Sequence, residues 1–209
     1  MSRLRSLRHR LSRETRGMAI VEFGFVVVPL MIVLLGAFDL GYQQYVKSQL
    51  QGVLDRVART ASVENPSFSE DGDTVEEQIE NAVRERVNRI ARSATYDIQQ
   101  TNYYQFSGVG RSEKLVTDND GDGTFDYDDG DCWEDLNANG SFDENAGRTG
   151  QGGADDVVFY EVTVTMPRIV PVMSLIGVPD EYNIIARTAI RNQPFADQAV
   201  PPVECGVVP

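Results

Sequence analysis

The feature that most constrains this chain is an unbroken apolar run, MAIVEFGFVVVPLMIVLLGAF, at residues 18–38. Its only ionisable side chain is Glu22. A helix of this length spans roughly 31 Å, which matches a bilayer hydrocarbon core of about 30 Å. We therefore predict a transmembrane segment over residues 18–38. The run ends LGAFDLG, without the small-residue site at which a secretory signal is cleaved, so a signal anchor is favoured over a secretory signal.

Charge is distributed very unevenly around this run. Residues 1–17 hold six arginines and one acid, whereas the whole chain has 19 basic and 32 acidic residues and a formal net charge of −13. Basic residues beside a span stay on the cytoplasmic side, so we expect a cytoplasmic N terminus, with residues 39–209 across the membrane. A body this acidic excludes nucleic acid as a partner, because phosphate contacts need clustered Lys and Arg.

The only histidine, His9, lies in the basic tail. The body therefore has no imidazole for a Ser/His/Asp or Cys/His arrangement, or for a histidine-ligated zinc site. We expect no enzymatic activity and assign no catalytic residues.

Glu22 is the residue that does not fit a plain anchor. A carboxylate in an apolar span costs on the order of 2.5 to 3.5 kcal/mol on insertion scales, which makes it a candidate functional residue. Glu22 is the fifth residue after Gly17, and here the sequence resembles the type IV pilin superfamily. The resemblance implies that a prepilin peptidase removes the basic leader 1–17 by cutting between Gly17 and Met18. It also implies that Glu22, with Phe23 beside it, meets the new N-terminal amine of a neighbouring subunit.

Within that superfamily, residues 16–42, RGMAIVEFGFVVVPLMIVLLGAFDLGY, most resemble TadE and TadG-like pseudopilins of the tight adherence (Tad) pilus. Pro29 inside the run and Asp39 just past it fit the pattern, and residues 182–195 fit it weakly. The resemblance implies a single-pass protein of the bacterial inner membrane with a periplasmic body, which assembles with other pilins into a pilus used in adhesion. The large body favours a minor pilin. The alternative is a permanently anchored periplasmic calcium-binding scaffold that never enters a filament.

The hydropathy pattern beyond the span predicts an α+β fold. An apolar stripe continues the helix to about residue 62, and a second helix begins at Thr74, where the spacing is that of a capping box. Strands are predicted at residues 95–106, 157–166 and 182–191. Residues 167–180 hold three prolines and are predicted as a crossover, a short helix or a membrane-proximal patch. The expected fold is a long N-terminal helix and a second helix against an antiparallel sheet, a pilin-like domain with an acidic loop insertion at 118–156.

The acidic insertion contains 13 acids and one base, and its first part has the spacing of an EF-hand loop. In DNDGDGTFDYDD, residues 118–129, glycine is sixth and an acid closes the loop. Aspartate replaces the usual closing glutamate, as in dockerin-type loops. The predicted calcium ligands are Asp118, Asp120, Asp122, the carbonyl of Thr124, Asp126 and Asp129.

A second loop, DLNANGSFDENA at residues 135–146, repeats the pattern but ends in Ala146. Its closing ligand must come from elsewhere, with Glu144, Asp155 and Asp156 as candidates. The predicted ligands within the loop are Asp135, Asn137, Asn139, Ser141 and Asp143. We expect one or two structural Ca2+ ions, the alternative being a solvated acidic loop without metal.

Two cysteines, Cys132 and Cys205, lie on the far side of the membrane in this topology. In an oxidising compartment they could form a disulfide that closes a loop of about 74 residues. The sequence does not place them within bonding range, so the pairing stays open. Trp133, beside Cys132, is either a packing anchor or an exposed contact residue.

Overall fold

The structure is a computed structural model that describes residues 16–68, 72–91, 93–170, 174 and 177–207. Most of the predicted leader therefore lies outside the described residues. Helix α1 runs without a break over Arg16–Ala61 and contains Pro29. The predicted extension of the helix beyond the apolar run is confirmed.

Helix α2 spans Val75–Asn88, as its capping pattern predicts. The Thr74 hydroxyl accepts a hydrogen bond from the Glu77 amide at 3.2 Å. The Glu77 carboxylate accepts one from the Asp73 amide at 2.8 Å, one residue earlier than in a standard capping box. The bond to Thr74 satisfies one of the amides that the first helical turn leaves free, and the bond from Asp73 holds the residue that precedes the N-cap.

The three predicted strands form a four-stranded sheet with a short edge strand. The strands are β1 (Thr95–Tyr103), β4 (Arg148–Thr149), β5 (Val157–Pro167) and β6 (Glu181–Arg191), in the order β4-β1-β5-β6. Strand β1 pairs antiparallel with β4 and with β5. Alternate residues of β5 are buried, because successive side chains of a strand lie on opposite faces and one face of β5 packs on the core.

A second sheet of three short strands was not predicted. It consists of β2 (Lys114–Thr117), β3 (Cys132–Glu134) and β7 (Val203–Cys205), with β3 in the centre and antiparallel to both neighbours. The insertion at 118–156 is therefore not a bare loop, because β3 and β4 lie within it.

The chain divides into two compact units, Met1–Gln44 with Arg168–Glu181, and Tyr45–Pro167 with Tyr182–Pro209. In the second unit, Gln51 of α1 donates to the carbonyl of Arg187 in β6 at 3.0 Å. Its core combines the apolar stripes of both helices with one face of the four-stranded sheet. The buried members are Val46, Leu50, Leu54, Val57, Ile79, Val83, Val87, Val158, Tyr160, Val162, Val164, Tyr182 and Ile184.

The first unit holds the apolar part of α1 and the segment that joins β5 to β6. Leu40 is the first apolar residue after the run 18–38, yet it is 48% exposed, whereas the neighbouring Asp39 is 1% exposed. The Asp39 carboxylate forms an ion pair with Arg168. The helix therefore turns a charged side chain, and not Leu40, toward the segment that follows β5.

Candidate functional site

The residues of the pilin-like motif lie on the apolar part of α1. Gly17 and Met18 are inside the helix, which begins at Arg16. Glu22 and Phe23 are both exposed, Phe23 by 66%. Within the part of the chain that the structure describes, Glu22 has no ion-pair partner.

The first acidic loop curls around three carboxylates. Oxygen atoms of Asp118, Asp120 and Asp122 all lie within 4.8 Å of one another. Oxygens bound to one calcium ion at about 2.4 Å are separated by at most about 4.8 Å, so this spacing suits a shared ion. The other two predicted side-chain ligands, Asp126 and Asp129, are exposed and do not belong to this group.

Backbone amides hold these carboxylates in place. Asp118 accepts hydrogen bonds from the Gly121 amide at 2.7 Å and from the Gly123 amide at 2.9 Å. Both glycines have positive φ, 77° and 81°, which lets the chain turn tightly enough to direct both amides at one side chain. These two amides, Gly123 first, lower the pKa of Asp118 and keep its anion available for a cation.

The pKa of Asp120 is shifted in the opposite direction, above its usual value. The amide of Asp122 donates to it and by itself lowers its pKa, but loss of hydration and repulsion from the Asp122 carboxylate outweigh that bond and raise the pKa. Like charges this close disfavour the ionised form. A divalent cation would relieve this repulsion.

A buried carboxylate outside the predicted ligand set closes the first loop. Asp131 is fully buried, and it accepts hydrogen bonds from the amides of Asn119 at 2.8 Å and Asp126 at 3.0 Å. These amides belong to the second and ninth residues of the loop. Asp131 therefore joins the two halves of the loop.

The second loop has the same arrangement. The Asp135 carboxylate accepts the Gly140 amide at 2.8 Å, as Asp118 accepts that of Gly123. The carboxamide oxygen of Asn137 accepts the Asn139 amide at 3.1 Å, and that of Asn139 accepts the Ser141 amide at 2.7 Å. The predicted side chains of the first, third and fifth positions thus bond to the loop in both cases.

Asp143, the ninth residue of the second loop, binds the side-chain amides of two asparagines of the same loop. Its carboxylate accepts hydrogen bonds from the side-chain amides of Asn137 at 2.7 Å and Asn139 at 2.6 Å. Three predicted ligand side chains therefore converge in this loop.

Glu113 lies outside the second loop and makes the same kind of contacts with it as Asp131 makes with the first loop. It is 3% exposed and accepts from the amides of Leu136 at 2.8 Å and Asp143 at 3.1 Å, again the second and ninth residues. Burial raises the pKa of Glu113, and the bonds from Asp143 and Leu136 only partly offset this. Asp156, one of the expected closing residues, instead bonds the Gly153 amide at 2.7 Å.

The two loops meet through aromatic rings. Phe125 stacks on Phe142 with ring centroids 4.3 Å apart, and Phe125 also meets Trp133 edge to face at 4.9 Å. Trp133 is 1% exposed, so it is a packing anchor and not a surface contact. Beside it, Cys132 and Cys205 are paired across β3 and β7 and form a disulfide.

The sequence pattern predicted candidate ligand positions within each loop, but it did not predict the buried carboxylates that link the second and ninth amides of each loop. Asp131 lies just past the expected end of the first loop, and Glu113 lies 22 residues before the second. The only local signal for Asp131 is its place in the acidic run. Glu113 has no such signal, because the fold alone brings it to Asp143.

The described residues form one long apolar helix and an α+β body, the fold class predicted from the sequence. Among the described residues, one helix, Met18–Ala61, is long and apolar enough to cross a membrane. Residues 17–59 match the family model described as TadE-like protein, and this confirms the resemblance drawn from the sequence. The match covers most of α1 and does not extend to the rest of the chain. No curated protein and no solved structure matches the chain.

Proposed function

We propose that this chain is a minor pilin of a Tad-type pilus. In this proposal the chain is inserted in the inner membrane with its body in the periplasm, and a prepilin peptidase cuts it between Gly17 and Met18. The observation that carries the proposal is the TadE-like match, which begins at Gly17 and includes Glu22. The position of Glu22 supports it, because this side chain is exposed, has no ion-pair partner among the described residues, and would meet the Met18 amine of a neighbouring subunit on assembly.

The mature N terminus tests this function. The full chain is expressed with its peptidase, and intact-mass spectrometry should find a chain that begins at Met18. Gly17→Ala should retain Met1, because a methyl group hinders the residue before the scissile bond. Gly24→Ala is the matched control, since an added Cβ at Gly24 meets nothing within 4 Å, and it should be cut normally. An uncut wild-type chain would instead support the permanently anchored scaffold.

We further propose that the two loops bind structural Ca2+, one ion each. The observation in favour is that both loops share one scheme, in which the first, third and fifth side chains bond the turn and a buried carboxylate links the second and ninth amides. Calcium prefers six to eight oxygen ligands and tolerates irregular geometry, which suits a mixture of carboxylates, amide oxygens and carbonyls. The ions would have a structural role, and we propose no catalysis at these carboxylates.

Calorimetry of the full chain in lipid nanodiscs tests the calcium proposal. Calcium should give saturable heat, and a chelator should lower the melting temperature. Asp122→Asn should weaken the affinity of the first loop about tenfold, because affinity follows ligand charge. Asp128→Asn removes the same charge from an exposed residue that is not a predicted ligand, and it should bind as the wild type does. Equal weakening by both variants, or no saturable heat, would contradict the assignment.

A further inference from the structure

The four-stranded sheet has an open edge along most of β1. The short strand β4 pairs with β1 at Thr101 and Asn102 only. No other strand that the structure describes runs along residues 95–99 on this side, because β5 lies on the opposite side of β1. A strand edge without a neighbour presents backbone donors and acceptors that can pair with another chain.

The register of the sheet identifies which backbone groups lie at this edge. The Gly150 amide donates to the Gln100 carbonyl at 3.0 Å, so the backbone groups of Gln100 face β4. Successive residues of an antiparallel strand pair alternately to one side and to the other. Ile98 and Tyr96 therefore turn their N–H and C=O groups toward the open edge, and the residues between them pair with β5.

Helix α2 lies along the same edge and forms the wall of a cleft. The Tyr96 hydroxyl donates to the Asn88 side-chain oxygen at 2.7 Å, and Gln100 Nε2 donates to the Glu76 carbonyl at 3.5 Å. Both ends of α2 are therefore joined to β1. The cleft between them has a volume of about 270 Å³ and is also lined by Ile98. This volume suits one side chain, since pockets for drug-sized ligands have about 300 to 1,000 Å³.

The lining of the cleft favours a positively charged donor. Glu76 and Glu80 contribute two carboxylates from one face of α2. The Glu76 carboxylate accepts the Gln151 amide at 3.2 Å, and Glu80 is 3.2 Å from Arg84 in a solvent-exposed pair, which contributes little stability. Gln100 also lines the cleft, and its buried Oε1 has no hydrogen-bond partner among the described residues. All three side chains offer oxygen acceptors, so a cation with N–H donors suits the cleft.

We propose that this edge binds an extended segment of a partner protein, which adds to β1 as a strand in line with β4 and places a lysine or arginine side chain in the cleft. In strand addition, main-chain hydrogen bonds give affinity and alternate side chains give specificity. Tyr96 and Ile98 provide the main-chain pairing, while Glu76 and Glu80 select a basic side chain. The net charge of the chain, −13, also favours a basic partner. The inference does not depend on cleavage at Gly17 or on calcium.

A pair of peptides tests the recognition of charge by the full chain in lipid nanodiscs. The probe is Thr-Val-Lys-Val-Thr, blocked at both ends and labelled with fluorescein, and its counterpart has norleucine in place of lysine. Fluorescence anisotropy should give about fivefold weaker binding for the norleucine peptide, the upper range for an exposed ion pair. Glu80→Gln should abolish this difference.

Glu85→Gln is the matched control. Glu85 also belongs to α2 and forms an exposed ion pair, 2.7 Å from Arg89, but it does not line the cleft. This variant should keep the preference for the lysine peptide. An equal preference in the wild type and in Glu80→Gln, or no saturable binding of either peptide, would overturn the proposal.

Amide hydrogen exchange, followed by NMR, tests the strand addition itself. The bound lysine peptide should slow exchange most at Tyr96 and Ile98, whose amides face the open edge. Asp97 and Gln99 are the internal controls, because their amides face β5 and should change less. Binding without this alternation would overturn strand addition. Competition by n-butylamine at the affinity of the peptide itself would show a site for small amines and would also overturn it.

Discussion

The ring of Phe125 lies on the ring of Phe142 with their planes 11° from parallel. Each phenylalanine is the eighth residue of its acidic loop. It therefore directly follows Thr124 or Ser141, at the seventh position, where an EF-hand loop supplies a backbone carbonyl as ligand. A shift in one loop on binding an ion would move its ring against the other loop.

We predict that the two proposed calcium sites are coupled through this stack. A stacked aromatic pair contributes about 0.5 to 1.5 kcal/mol, which corresponds to roughly two- to tenfold in affinity. Asp122→Asn, made in the first loop, should therefore also weaken binding in the second loop by such a factor. In a Phe142→Ala background that remote effect should vanish.

Calorimetry of the four chains of this cycle measures the coupling. Phe106→Ala is the control, because Phe106 lies outside both loops and packs under Arg191, with 5.7 Å between the guanidinium carbon and the ring centroid. A remote effect of Asp122→Asn that persists in Phe142→Ala would show that the rings do not carry it.

The fourth residue of each loop provides a second prediction. Ala138 has φ of 56°, and its counterpart Gly121 has φ of 77°. A left-handed conformation costs a residue with a Cβ about 1 to 2 kcal/mol. Ala138→Gly should therefore stabilise the fold by about 1 kcal/mol, less the added freedom of the unfolded chain, and Gly121→Ala should destabilise it by a similar amount.

Urea denaturation of the chain in detergent measures both changes. Gly52→Ala is the matched control. As at Gly121, an added Cβ at Gly52 meets nothing within 4 Å, but Gly52 has the backbone conformation of helix α1. That substitution should stabilise by about 0.5 to 1 kcal/mol. Destabilisation by Gly52→Ala of the size seen for Gly121→Ala would mean that φ is not the cause.

The elements predicted from the sequence are those in which the apolar pattern repeats over a long segment. Helix α2 and strands β5 and β6 repeat their apolar residues over 11 residues or more, and their bounds agree closely with the pattern. Strands β3 and β7 have three residues each, too few for any period to be seen. Their pairing places Cys132 opposite Cys205, 73 residues apart along the chain, and local patterning does not reveal a contact over such a separation.

The same limit applies to the candidate site. The three carboxylates that the structure brings together belong to one short turn, Asp118, Asp120 and Asp122. Their spacing is therefore visible directly in the sequence. Glu113 reaches its loop through tertiary structure. The burial of Asp39 could not be predicted for a related reason, because its ion-pair partner Arg168 lies 129 residues away along the chain. The apolar spacing along the helix favours burial of Leu40 instead.

The disulfide leads to a stability prediction. Replacing both cysteines, Cys132→Ser with Cys205→Ser, should lower the free energy of unfolding by about 4 kcal/mol in the chain-entropy description, because the bond closes a long loop. Dithiothreitol should lower the urea midpoint of the wild type and leave that of the double variant unchanged. Sensitivity of the double variant to the reductant would argue against the disulfide as the source.

The last prediction concerns Tyr160, which is fully buried and donates to the Gln151 side-chain oxygen at 2.7 Å. Burial raises the pKa of Tyr160 above the usual value, a change that the bond to Gln151 only partly offsets. The folded chain therefore keeps this hydroxyl protonated when the unfolded chain ionises it, above about pH 10. The stability linked to Tyr160 is fully present below that pH and is lost as the pH rises beyond it.

Tyr160→Phe should lower stability near neutral pH by about 1 kcal/mol, the value of one hydrogen bond. It should also remove a loss of up to about 1.4 kcal/mol per pH unit above pH 10, so the curves of wild type and variant converge there. Urea midpoints measured from pH 8 to pH 11, roughly spanning that range, follow both effects. Tyr127→Phe, at a half-exposed ring, is the control and should retain the full alkaline loss. Parallel curves for Tyr160→Phe and wild type would show that burial of this hydroxyl does not set the alkaline limit.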